Sequence, residues 1–256
     1  MPLLECNAIS RSFGGLKAVS NCTLSLEPGE LVGLIGPNGA GKTTVFNMIT
    51  GVFPPTEGSI RFAGRDLKGL APYRITHLGI ARTFQNIRLF KAMTALDNVM
   101  VAMHPKAGYG LAASLLRLPS FGAGEAALRQ KAEALLAHMG LSHRSGSLAG
   151  SLPYGEQRRL DIARALASEP KLLLLDEPAA GMNPSEVAGL VAMIRQIKQE
   201  FNLTVLLIEH QMGLVMNLCE RLHVLDFGQT IATGTPNEVQ NNPAVLEAYL
   251  GKAVGV

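Results

Sequence analysis

Short apolar runs alternate with one-sided helical stripes along most of this chain. Leu31–Ile35, Lys171–Leu175, Leu203–Ile208 and Arg221–Asp226 are too short for core helices and are bounded by turn residues, so they predict buried strands. Between them, Val187, Leu190, Val191, Ile194 and Ile197 recur at helical spacing, predicting an amphipathic helix that begins near Pro184 with Asn183 as its cap. Buried strands alternating with amphipathic helices imply a mainly parallel sheet covered on both faces. Residues 1–35 differ. They read as short strands broken at Phe13-Gly14-Gly15 and Glu27-Pro28-Gly29-Glu30, and Gly58–Phe62 and Ile80–Phe84 are further strand candidates.

From Thr94 to Gly140 the pattern becomes helical. Thr94 and Asp97 have the spacing of a capping box, and Leu128, Ala132, Leu135, Leu136 and Met139 form one apolar stripe. A small-residue linker, Ser145–Gly155, precedes a helix carrying Arg158, Arg159 and Arg164. Beyond Asp226 a polar tail with a terminal helix is expected. The expected organisation is a catalytic core at 1–93 and 151–256, with a helical subdomain inserted at about 94–150.

Composition narrows the class. The chain has 256 residues, 47% hydrophobic and 17% charged, which suits a globular domain with a sizeable core. No apolar stretch is long enough to cross a membrane as a helix, and the N-terminus lacks the pattern of a secretory signal. Three scattered cysteines point to a reducing compartment, with neither a zinc site nor a disulfide framework. His77, His104, His138 and His143 show no ligand spacing. A net charge of +3 is too small to argue for nucleic acid and is compatible with work beside an anionic membrane surface.

Candidate chemistry begins at Gly36–Thr43. Gly36, Pro37, Asn38, Gly39, Ala40, Gly41, Lys42 and Thr43 complete a G-x-x-x-x-G-K-[ST] phosphate loop between a strand and a helix. The glycines let backbone N–H groups curl round phosphates, and the helix adds its positive end. Lys42 would reach the β- and γ-phosphates, the Thr43 hydroxyl would ligate Mg²⁺, and Thr44 completes the nucleotide-binding segment. The downstream apolar run delivers Asp176 and Glu177 to the same place, so the expected ligand is a nucleoside triphosphate.

Leu152–Leu166 (LPYGEQRRLDIARAL) resembles the signature of the ATP-binding cassette (ABC) ATPases, with Leu152, Gly155, Glu156 and Gln157 in the nucleotide-contacting part at 152–157. The resemblance covers essentially the whole chain and implies a P-loop NTPase of α/β class: an ABC core with a mainly parallel sheet, N-terminal antiparallel strands and an inserted helical subdomain. By the same resemblance Gln85 is the Q-loop glutamine, an active-site and metal-site residue, His210 is the switch histidine, and Ala179–Pro184 is the D-loop. Phe13 stands where the family places an aromatic that stacks on adenine. Asp176 would hold Mg²⁺-bound water, Glu177 would polarise the attacking water, and His210 would bond the γ-phosphate. The family works as paired chains, each ATP lying between one phosphate loop and the other chain's signature. Two positions depart from the pattern. Pro153 replaces the signature serine and brings neither hydroxyl nor N–H, and Asn183 replaces the aspartate that normally ends the D-loop.

Finer wording resembles the Liv-type ATPase subunits of branched-chain (hydrophobic) amino-acid importers. The segments are Phe13–Val19, Ala81–Phe90, Asp176–Pro184, Leu206–Met216 and Asn241–Gly251. That resemblance implies an ATPase at the cytoplasmic face of the inner membrane with ATP and Mg²⁺ as cofactors. Its implied partners are two transmembrane permease subunits, a second ATPase chain and, indirectly, an extracytoplasmic solute-binding protein, with no nucleic acid. The permease would dock beside Gln85, with Ile87–Phe90 helping to line the cleft. Amides, urea and exported envelope lipid remain alternative cargoes. A soluble ABC ATPase acting on ribosomes or DNA is the other class, though such proteins usually carry two cassettes or a long coiled coil.

Overall fold

The computed structural model describes residues 1–250. The N-terminal pattern forms two long antiparallel strands, β1 (Leu4–Phe13) and β2 (Leu16–Leu26), where a series of short strands was expected. Register shifts between Cys6 and Ile9 and again after Ile9 and Arg11 absorb the irregular alternation that made them look broken. β3 (Leu31–Ile35) is buried at every residue and leads into α1 (Lys42–Ile49). β4 (Glu57–Phe62) pairs with β1 and carries β5 (Arg65–Asp66), completing a four-stranded sheet of order β2-β1-β4-β5. A short helix, α2 (Pro72–Leu78), precedes β6, which spans Ile80–Arg82 and ends two residues before the Phe84 expected from the sequence.

The helical stretch contains α3 (Ala95–Met103), α4 (Leu111–Leu115), α5 (Pro119–His138) and α6 (Tyr154–Ala167). Thr94 caps α3 by accepting from the Asp97 N–H, and Leu128, Ala132, Leu135 and Leu136 are the buried face of α5. The chain then returns through β7 (Leu172–Asp176), α7 (Pro184–Glu200), β8 (Thr204–Ile208), α8 (Met212–Leu218) and β9 (Arg221–Asp226). Asn183 and Glu186 form the full capping box that starts α7. The expected polar tail holds another strand, β10 (Gln229–Gly234), before α9 (Pro236–Gln240) and α10 (Pro243–Leu250). Its polarity misled because β10 is an edge strand whose residues are exposed or half-buried. Gly251, the last residue of the C-terminal segment quoted above, lies outside the described residues.

The second sheet has the order β10-β9-β3-β8-β7-β6, with β10 antiparallel to β9 and the other neighbours parallel. One apolar core joins both sheets through α1. Val45, Phe46 and Ile49 lie among Leu4, Ile9 and Phe62 of the first sheet and Leu34, Leu174 and Leu206 of the second.

Two compact units result: Met1–Arg82 with the chain from Lys171 onward, and Thr83–Pro170. The helical unit is therefore broader than 94–150. Buried Asn98 explains part of this, because its side chain accepts from the Phe90 N–H (2.9 Å) and donates to the Phe90 carbonyl (3.0 Å). Backbone bonds from Ala95 to Ser147, Leu96 to Ser145 and Gly150 to Lys91 close the unit on itself. No helix among the described residues is long and apolar enough to cross a membrane.

Candidate functional site

Parallel strands β3, β8 and β7 lie side by side, so their C-terminal ends collect the loops that follow them. After β3, the chain turns through Gly36, Gly39 and Gly41, all with positive φ (148°, 83° and 100°). A Cβ at Gly36 would lie 2.0 Å from the Leu225 carbonyl oxygen, and one at Gly41 would lie 2.6 Å from that of Ala18. Only glycine fits at these two positions. Lys42 begins α1, is buried, and donates from Nζ to the carbonyls of Gly36 and Pro37, both at 2.8 Å. Burial pulls its pKa down, while the nearby carboxylates of Glu177 and Asp176 oppose that shift. Thr43 is exposed and Thr44 half-buried in the first turn, where backbone N–H groups lack helical partners. The loop thus presents glycine-permitted backbone, a helix N-terminus and an amine to an anion.

Asp176 closes β7 and is buried. On the adjacent strand Arg82 pairs with it, Nη2 to Oδ2 at 2.7 Å, with only 6% of either side chain exposed. Arg82 also donates to Asn47 Oδ1 at 2.7 Å, tying the carboxylate to α1. Sequence reading gave Arg82 no role. A strand arginine resembles any edge cation until its partner, 94 residues away, is known. The Asp176 carboxylate and Thr43 hydroxyl are hard oxygen donors, a set that fits Mg²⁺.

Glu177 follows with φ of 47°, a left-handed backbone unusual for this residue type, held by its N–H donating to the Ile208 carbonyl at 2.9 Å. That turn brings its Oε2 to 3.7 Å from Nδ1 of His210, whose side chain is 53% exposed. Behind both stands Glu209, fully buried, another residue the sequence reading passed over. Its Oε1 accepts from the Ala179 N–H at 2.9 Å and its Oε2 from the His210 N–H at 3.2 Å. Burial raises the Glu209 pKa against those opposing hydrogen bonds. Glu209 therefore fixes the backbone of His210 and of the segment after Glu177 together.

The remaining candidates divide. Phe13, 44% exposed, packs edge-on against Phe53 (centroids 5.2 Å apart), with the Arg11 guanidinium 4.9 Å from its ring centre. Those described contacts are with β1 and the loop between α1 and β4, and include no phosphate-loop residue. Gln85 is exposed and belongs to the helical unit, as do Leu152 and Gly155–Gln157. There α6 starts at Tyr154, with Pro153 at the N-cap position and no side-chain cap, two residues ahead of the start expected after Gly155. Proline supplies the turn-compatible φ of −54°, and Gly155 enters the first turn. Leu152 is buried and its carbonyl accepts from Gln157 Nε2 at 2.7 Å, while Glu156 pairs with Arg144 at 2.9 Å.

A phosphate cradle, a buried carboxylate and a glutamate–histidine pair at the strand ends define a nucleotide-binding P-loop site. Residues 19–180 match the family model described as ABC transporter, and 229–255 match that described as branched-chain amino acid ATP-binding cassette transporter. The high-affinity branched-chain amino acid transport ATP-binding proteins LivG of Escherichia coli K12 and BraF of Pseudomonas aeruginosa are each 46% identical over 98% of this chain and 99% of their own. The ADP form of an ATP-binding cassette of an ABC transporter superposes with a TM-score of 0.85 at 33% identity, covering 98% of this chain and 100% of that one. The chain belongs to the ABC transporter family of ATP-binding proteins, in its branched-chain amino-acid transport branch.

Proposed function

We propose that this chain is the ATP-hydrolysing subunit of an importer for branched-chain amino acids, peripheral to the cytoplasmic face of the inner membrane. The observation that carries the reading is end-to-end similarity to LivG and BraF in a chain whose own Glu177 and His210 stand 3.7 Å apart beside the phosphate loop. Lys42 and the loop backbone bind the phosphates, and Phe13 stacks on the base. Thr43, Asp176 and, by the family resemblance, Gln85 would hold Mg²⁺, which would supply charge neutralisation at the phosphates. Glu177 takes the proton of the attacking water, His210 holds that water and the γ-phosphate in line, and Glu209 keeps His210 in place. Leu152 and Gly155–Gln157 complete the site on a second ATPase chain, identical or related. Two permease subunits and an extracytoplasmic solute-binding protein complete the transporter, with the permease contacting Gln85 and Ile87–Phe90.

One observation keeps lipid export in view: the lipopolysaccharide export protein LptB of Haemophilus influenzae is 34% identical over 98% of this chain. The higher identity to LivG and the C-terminal branched-chain match favour amino-acid import. Reconstitution with the co-purifying permease and solute-binding protein tests the assignment. ATP-dependent uptake of leucine, isoleucine or valine is the expected result. A complex that carries lipid, or that lacks a solute-binding protein, overturns it.

A further inference from the structure

The largest wholly buried side chain is a cation, Arg158, in the second turn of α6. Its hydrogen bonds go to neutral oxygens: Nη1 donates to the Phe84 carbonyl at 2.8 Å, and Nη2 to the Gln85 carbonyl at 2.8 Å and to Tyr154 Oη at 2.9 Å. Its Nε has no hydrogen-bond partner among the described residues. One turn further on, Asp161 is also buried and accepts from the Phe84 N–H. Arg164, a further turn along, donates to the Arg88 carbonyl. Residues 158, 161 and 164 thus form one face of α6 that grips the backbone of 84–88, with the Phe84 peptide groups held at both N–H and C=O.

Helix packing alone does not call for this. Burying a guanidinium costs more than burying an apolar side chain of similar size, and its unpaired Nε adds to that cost. What a planar fork provides is direction: two donors in fixed geometry meet two successive carbonyls and fix the peptide plane between them. That plane sets how the Gln85 side chain leaves the backbone. We propose that Arg158 is a positioning residue which locks Gln85 to the signature helix, so that Gln85 and residues 152–157 respond to nucleotide as one piece. The inference rests on the ATPase reading above, since Gln85 matters to turnover only there.

Two measurements on the full-length chain test it, one of them independent of activity. In Arg158→Lys, which keeps the charge but loses the fork, backbone hydrogen exchange should accelerate about tenfold at 84–88 and at 152–157, leaving 36–41 unchanged. ATP turnover should fall about tenfold in kcat with KM within about twofold, and adding Gln85→Ala should cost little more, because both changes disable one device. Tyr154→Phe, which leaves Arg158 in place and removes one of its acceptors, should shift exchange and kcat in the same direction and serves if the lysine variant fails to fold. Unchanged exchange at 84–88, or losses from Arg158→Lys and Gln85→Ala that multiply, overturn the proposal. A parent chain that does not hydrolyse ATP removes the ATPase reading, while the exchange measurement still decides whether Arg158 holds the two segments together.

Discussion

His223 on β9 is 1% exposed, and both its ring nitrogens have hydroxyl partners: Thr230 Oγ1 at 2.8 Å from Nε2 and Thr233 Oγ1 at 3.0 Å from Nδ1. Burial, with a smaller contribution from Arg221, pushes its pKa from 6.5 down to about 4. The sign follows from linkage. An unfolded chain takes up this proton near pH 6.5 while the folded chain resists it, so stability is complete above that pH and falls as the pH drops towards 4. A shift of this size makes His223 cost about 2 kcal/mol of stability by pH 5 and about 3 kcal/mol by pH 4. The perturbation is His223→Gln, which keeps a hydrogen-bonding side chain and removes the titration. Urea unfolding of both proteins from pH 7.5 to 4.5 isolates the term, because carboxylates such as Glu30 and Glu209 titrate in both. The wild-type curve should fall away from that of the variant by about 2 kcal/mol at pH 5. Parallel curves would show that His223 titrates normally and that its burial does not exclude the proton.

Other consequences lie closer to the site. Arg82→Met should destabilise the chain by about 3–5 kcal/mol, because it strands the buried Asp176 carboxylate without its cation; urea unfolding at pH 7 checks it, and a loss below about 1 kcal/mol would mean the pair is screened. Lys42→Ala should weaken ATP binding about tenfold or more in calorimetry, and unchanged affinity would contradict the phosphate-loop assignment. Pro153→Ser should leave turnover within about tenfold of the parent, since the N–H groups of the first turn of α6 remain; a larger increase, measured on the same assembled transporter, would mean that proline handicaps the composite site.

Sequence and structure agree most closely where one short segment carries its own explanation. β3 and β9 have the limits read from their apolar runs, Thr94 caps α3 with the Asp97 its spacing implied, and Asn183 caps α7. The phosphate loop was legible because glycine, lysine and threonine are required at fixed offsets between a strand and a helix. What escaped shares one cause. Arg82, Arg158 and Glu209 are buried ionisable side chains whose hydrogen-bond partners lie far along the chain or on the backbone. Such partners leave no periodicity to read. The limits of the helical unit follow the same logic: the side chains of Asn98 and Arg158 bind the backbone at Phe84, Gln85 and Phe90 and hold that stretch in the unit. The β1–β2 hairpin shows the opposite problem, where bulges disrupted an alternation that hydrogen bonding nevertheless maintains.

Glu177 carries the central claim, because a left-handed turn after β7 sets its carboxylate 3.7 Å from His210. Its direct test is Glu177→Gln in the purified transporter, following nucleotide retention and phosphate release together. Phosphate release should fall by about 100-fold or more, as for loss of a general base, while ATP stays bound and the ATPase chains accumulate as an ATP-bound pair. Phosphate release near the parental rate, or a variant that no longer retains ATP, would contradict it.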